Sequence, residues 1–154
     1  MDFHVDQIDH VELTVPDRHA AAKWYRDVLG LVIVAEYEHW AMDPKGPLMI
    51  TTPQGSTKLA LFEGKPGGSE QRIGFHLVAF RVGWKSFATF VARLSELMLK
   101  DDSGRTVTPD FVADHDCAYS IYFCDPYGHC LEITTYDYKE TTMELRRLRT
   151  AEPG

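Results

Sequence analysis

The sequence predicts an α+β fold built from two successive β-α-β-β-β modules. Three observations predict it. An alternating polar and apolar strand at 7–15 runs into an amphipathic helix, a breaker-rich segment Gly64-Lys65-Pro66-Gly67-Gly68-Ser69 stands near mid-chain, and the same order of elements begins again after it. At 154 residues the chain is long enough for one compact domain with a substantial core. The expected layout within that single domain, 1–154, is module one at 7–63, a linker at 64–73, module two at 74–137 and a C-terminal tail at 138–154.

In the first strand Val11, Leu13 and Val15 fall on one face and His10, Glu12 and Thr14 on the other, the pattern of a half-buried strand. Pro16-Asp17 starts a helix whose stripe is Ala21, Trp24, Tyr25 and Val28, and Gly30 ends it. Strands are expected at 31–39, 48–52 and 58–63, separated by the turn residues Asp43-Pro44-Lys45-Gly46-Pro47 and Pro53-Gln54-Gly55-Ser56. In the second half the prediction is a strand at 74–82. A helix at 84–98 follows, its stripe Phe87, Phe90, Val91, Leu94 and Met98, and then strands at 105–112, 118–124 and 129–136. Asp125-Pro126-Tyr127-Gly128 joins the last two strands, and Thr141-x-x-Glu144 has the form of a capping box opening a short helix. The rest of the tail is expected to pack loosely, to close over the site or to cover a neighbouring subunit.

Composition narrows the function classes. Sixteen Lys and Arg stand against 23 Asp and Glu, a net charge of −7, and the one basic run is Arg146-Arg147-Leu148-Arg149, so a nucleic-acid backbone would be repelled. The start Met1-Asp2-Phe3-His4 lacks a basic segment leading into an apolar one, and no apolar stretch approaches the roughly 18 residues of a membrane span. A cytoplasmic protein without membrane partners is expected. Cys117, Cys124 and Cys130 are odd in number and lack Cys-x-x-Cys spacing, which reads as buried free thiols.

The chemistry-bearing residues are His10 and His76, each near the start of its module's first strand, and Glu132 in the closing strand of module two. Alone, each histidine reads as a polar strand residue. Two at equivalent places of a repeat, with a carboxylate set between Leu131 and Ile133 where burial without a cation is costly, read as ligands of one metal. Two imidazoles and a carboxylate leave coordination positions open and suit a divalent transition metal, iron first, with manganese, zinc and nickel as the other candidates. In the same alignment Ala60 takes the place of Glu132, so the repeat supplies three ligands rather than four.

Asp9-His10-Val11, the segment from Trp24 to Gly30, Phe75-His76-Leu77 and the stretch from Tyr122 to Glu132 together resemble the vicinal oxygen chelate superfamily over residues 7–137. The resemblance implies that the two modules curl into a cupped mixed sheet with helices on its outer face, often completed by a second chain in a homodimer. It implies His10, His76 and Glu132 as metal ligands, and Tyr122 as a tyrosine lining the pocket for a small-molecule substrate.

Within that superfamily, resemblance to glyoxalase I would call for a fourth ligand where Ala60 stands, with Phe62 next on its face. Glu63 points the other way, and the one-residue slip that would rescue it would turn Leu59 and Leu61 into the cleft. Extradiol dioxygenases resemble the chain in their two histidines and one glutamate, and their chemistry needs the open positions that such a triad leaves. On that reading Tyr122 would hydrogen-bond a catecholate oxygen, and His115 would act as acid or base or remain a solvated loop residue. The chain departs from those enzymes in having Thr57 or Lys58 where they carry a further histidine. Fosfomycin-modifying enzymes resemble the stretch Asp125 to Glu132, but they need cations for a phosphonate where this chain has Asp114-His115-Asp116. In a water-adding variant Glu12 would be the base, its alternative role being a hydrogen-bonded rim residue. Bleomycin-sequestering relatives lack the triad. The expected function is an extradiol-dioxygenase-like oxidoreductase acting on a catechol-like substrate, with Trp40, Phe62, Phe80 and Tyr136 as an apolar wall or as core.

Overall fold

The computed structural model describes residues 8–64 and 77–151. The chain divides into two compact units, Met1–Gln71 and Arg72–Gly154, each with its own four-stranded mixed sheet and helices. Apart from Gly64, the expected linker lies outside the described residues, as does Gly74-Phe75-His76.

The first unit runs β1 (His10–Val15), α1 (Arg18–Leu29), β2 (Val32–Ile33), β3 (Leu48–Thr51) and β4 (Lys58–Glu63). Its sheet order is β1-β4-β3-β2, with β1 parallel to β4 and the other pairs antiparallel. Asp17 caps α1 by accepting from the backbone N–H groups of His19 and Ala20, both at 2.9 Å. Gly30 ends the helix at φ 72°, a left-handed conformation that costs glycine nothing. Ala21, Ala22 and Tyr25 are buried on the helix, which contacts β2, β3 and β4, and Leu13, Val15, Leu48, Ile50, Leu59 and Leu61 fill the core. The Arg18 side chain, only 6% exposed, reaches the carbonyls of Ala41 (2.9 Å), Asp43 (3.2 Å) and Gly46 and lies 3.4 Å from the Glu63 carboxylate. A buried guanidinium needs such partners, and it pins the loop before β3.

The strand expected at 31–39 is cut short. The backbone N–H of Val34 still bonds the Met49 carbonyl at 2.9 Å, but Ala35–Met42 then turns into a 3-10 helix in which Tyr37 stacks on Trp40 at 4.5 Å. Residues three apart eclipse in that helix, so the ring pair favours it over extended chain.

The second unit runs β5 (Leu77–Arg81), α2 (Trp84–Ala92), α3 (Leu94–Leu97), β6 (Ala113–Asp114), β7 (Tyr119–Cys124), β8 (Cys130–Thr135) and α4 (Tyr138–Ala151). Its order is β5-β8-β7-β6, with β5 parallel to β8 and the rest antiparallel. Phe87, Phe90, Val91 and Leu94 are buried as expected. The helix predicted at 84–98 breaks at Arg93, however, and Met98, at φ 50°, is exposed. The strand predicted at 105–112 does not form. Lys100 makes an isolated bridge to Thr106, Asp101 gathers the N–H groups of Ser103 (3.0 Å) and Arg105 (2.9 Å), and Pro109, which has no N–H to donate, opens a 3-10 turn over 109–111. Helix α4 begins at Tyr138 rather than Thr141. Thr141 is fully buried in the first turn, its N–H bonded to the Asp137 carbonyl at 3.0 Å, and the helix packs on α2 rather than trailing loosely. Among the described residues no helix is long and apolar enough to cross a membrane.

Candidate functional site

Strand β8 lies between β5 and β7, so each of its side chains has neighbours on both sides. The hairpin that joins β7 to β8 sets their register. Asp125 is buried, and its Oδ1 accepts from the N–H groups of Tyr127 (2.9 Å) and His129 (2.8 Å), while Gly128 takes φ 91°. The Asp125 N–H bonds the His129 carbonyl at 2.9 Å. Counting outward from that bond, the pairs Cys124–Cys130, Tyr122–Glu132 and Ser120–Thr134 are the non-hydrogen-bonded pairs of the ladder, where facing side chains lie closest. All six share one face with Leu77, Ala79 and Arg81 of β5. The opposite face, with Ile121, Phe123, Leu131 and Ile133 buried, belongs to the core.

On the open face Glu132 is half-buried and its Oε1 accepts from Ser120 Oγ at 2.6 Å. Ser120 Oγ also lies 3.0 Å from Thr134 Oγ1. A hydroxyl has one proton, so Ser120 donates to the carboxylate at the shorter distance, while the Thr134 hydroxyl donates to the Tyr119 carbonyl at 3.3 Å. This holds one carboxylate oxygen, and among the described residues Oε2 carries no hydrogen bond. Across the ladder from Glu132, Tyr122 is 38% exposed and its hydroxyl lies 3.1 Å from His115 Nε2. His115 is placed by its own N–H on the Ala118 carbonyl at 2.9 Å. The neighbouring Asp114 accepts from the Asp116 N–H (2.9 Å) and the Tyr138 hydroxyl (3.0 Å), contacts that hold its carboxyl below the usual carboxylate range.

In the first unit, His10, Glu12 and Thr14 are exposed on the face that also carries Lys58, Ala60 and Phe62. The His10 Nδ1 lies 2.8 Å from Asp9 Oδ2, and Asp9 Oδ1 lies 2.9 Å from Lys58 Nζ. Those two partners, Lys58 first, hold the Asp9 carboxyl below its usual range, so it stays ionised and acceptor-only. Nδ1 therefore carries a proton, which leaves Nε2 as the nitrogen that can offer a lone pair to a cation. Glu12 Oε1 lies 3.7 Å from that nitrogen.

The structure thus brings Glu132, Tyr122 and His115 together on one sheet and places His10 beside Glu12 on the other, while His76 lies outside the described residues. Among the described residues no group of three or more His, Cys, Asp or Glu side chains is gathered to hold a metal. Each donor taken by itself is of a type that holds a cation: the tautomer of His10 is set by a carboxylate, and Glu132 has one oxygen anchored and the other open. Opposite Ala60 in the parallel ladder stands Glu12, and opposite Glu132 stands Ala79. By the same register Leu77 takes the place of His10, one residue along from the expected equivalence with His76. The orientations expected for Ala60, Phe62 and Glu63 hold, with Leu59 and Leu61 in the core. Of the expected apolar wall, Phe62 shares a face with His10, Phe80 alternates onto the face opposite Glu132, and Trp40 and Tyr136 are exposed, Tyr136 beneath the Arg81 guanidinium at 5.3 Å. The cysteines are free but not buried, Cys117 being exposed and the other two half-buried.

Sequence reasoning missed Ser120, Thr134 and Asp9. The first two were within reach by counting outward from the Asp125–Gly128 turn.

Residues 7–133 match the sequence model of the Glyoxalase/Bleomycin resistance protein/Dioxygenase superfamily. The chain is 28% identical over 131 residues to biphenyl-2,3-diol 1,2-dioxygenase 3 of Rhodococcus globerulus, a match covering 82% of this chain and 62% of that protein, so the chain spans about six-tenths of the relative's length. Among solved structures it resembles the oxidase ChaP-H2 at 27% identity and TM-score 0.61, over 90% of this chain and 99% of that one. It also resembles FosX, a fosfomycin resistance protein of Listeria monocytogenes, at TM-score 0.59 over 90% and 99% of the two chains; the 14% identity speaks for the fold alone.

Proposed function

The chain belongs to that glyoxalase, bleomycin-resistance and dioxygenase superfamily, and from that premise we propose that it is a divalent-metal-dependent, extradiol-dioxygenase-like oxidoreductase acting on a small catechol-like substrate. The observation that carries the reading is the Tyr122–His115 hydrogen bond at 3.1 Å, set directly across the ladder from Glu132. Likeness to a protein named for a 1,2-dioxygenase activity on a biphenyl diol, and to one named an oxidase, supports it.

On this reading His10, His76 and Glu132 hold the metal, with Fe2+ favoured over Mn2+, Zn2+ and Ni2+. The bound ion would supply Lewis-acid polarisation of two substrate oxygens and open positions for a second reactant. Ligation by His76 requires that the alternation of β5 change phase just before Leu77, because Leu77 itself shares Glu132's face. The residues of the chain do the rest. With Nε2 of His115 unprotonated, the Tyr122 hydroxyl donates to it and its oxygen lone pairs can accept a substrate hydroxyl. With Nε2 protonated, His115 donates and the phenol proton is directed to a substrate oxygen. The pair is thus a two-position proton relay at the rim of the glutamate. Asp114 and Asp116 beside it would repel a phosphonate, which weighs against fosfomycin-type chemistry. The proposal includes a homodimer in the cytoplasm, with a small molecule rather than nucleic acid or membrane as partner.

The test is metal analysis of protein purified without oxygen, followed by a catechol panel scored for yellow ring-opened product. Iron with turnover is expected. Manganese with epoxide opening and no catechol turnover would overturn the reading.

A further inference from the structure

Cys124 and Cys130 face each other directly across β7 and β8, with their sulfurs 3.8 Å apart. They form the non-hydrogen-bonded pair next to the Asp125–His129 bond, and the Cys124 N–H turns away to the Lys100 carbonyl at 2.7 Å. Strands in such a pair hold their Cα atoms about 4.5 Å apart. That lies within the range a disulfide spans, so the thiols can join without unpairing the strands. Both residues are half-buried, so neither sulfur is sealed in the core.

We propose that Cys124 and Cys130 form a reversible redox-modification site that closes to a cross-strand disulfide by exchange with a low-molecular-weight disulfide of the glutathione type. Burial and the neighbouring Cys130 sulfur push the Cys124 thiol up to about 12. The thiolate of one of the two cysteines bonds to one sulfur of the small disulfide, whose S–S bond breaks and releases one thiolate. The other cysteine's Sγ then attacks the first, giving up its proton, and the mixed disulfide breaks to release the second small thiol. Two protein thiols are oxidised and one small disulfide is reduced to two thiols. The bond would cross the ladder two residues from Tyr122 and Glu132, on their face. The inference does not depend on the metal reading.

The experiment equilibrates a Cys117→Ser variant of the full chain in buffers of increasing oxidised-to-reduced glutathione ratio, followed by acid quench, alkylation and peptide mapping. The expected result is joint loss of both remaining alkylatable thiols, a Cys124–Cys130 cross-linked peptide, and full recovery on reduction. A glutathione adduct that persists on either cysteine without cross-linking, or two thiols that both stay alkylatable in fully oxidised buffer, would overturn it.

Discussion

Each unit places one carboxylate and one alanine at matching points of its parallel ladder, but on opposite strands. In the first unit Glu12 stands on β1 across from Ala60; in the second, Ala79 stands on β5 across from Glu132. Strand β1 is at the end of its sheet's order, and Glu12 is exposed, its carboxylate 3.7 Å from His10 Nε2. Strand β8 is interior, and Glu132 is half-buried with Ser120 bound to one oxygen and Thr134 behind it. An edge carboxylate is solvated and mobile. An interior one must be satisfied, and the hydroxyls that satisfy it also orient it, which suits it to hold a cation.

The sharpest way to break this comparison is to remove the two carboxylates in turn. Glu132→Ala should abolish stoichiometric metal retention while Glu12→Ala keeps it; equal loss in both, measured by elemental analysis of purified protein, would erase the distinction. The cores beneath the two faces should by contrast behave alike. Leu61→Ala and Leu131→Ala, both in fully buried positions, should each cost roughly 2–5 kcal/mol in denaturant unfolding. A smaller effect is expected at the orienting hydroxyl. Ser120→Ala should weaken metal binding by about 10–100-fold with circular dichroism unchanged, and Ser120→Thr should restore part of it. The smallest effect concerns acid. Contacts from Ser103 first, with Arg105, hold the Asp101 carboxyl at about 2 against its usual 3.8, so its support of the loop before β6 is complete above that usual value and is lost as pH falls through 2. Asp101→Asn should flatten that acid limb when thermal midpoints are followed against pH.

Much of the fold was legible because period and punctuation are local. The alternation of 10–15, the Asp17 cap, the Gly30 stop and the turn at Asp125–Gly128 all act over a few residues, and each sets its element where expected. The failures at 31–39 and 105–112 have the same physical origin. Apolar or β-branched residues there read as strand, but a ring stack three residues apart in one case, and an aspartate claiming backbone N–H groups together with a proline in the other, offered the backbone better partners than a ladder.

By itself, the sequence determined the two-module α+β plan, the candidate donor types and the hairpin that sets Tyr122 against Glu132, since all of these follow from residue spacing. Only the tertiary structure decided that Ser120 and Thr134 support the glutamate, that His115 reaches Tyr122, and that two cysteines meet across a ladder. Those contacts depend on which strands become neighbours and in what register, and hydrogen bonding between distant segments, not composition along one of them, sets that.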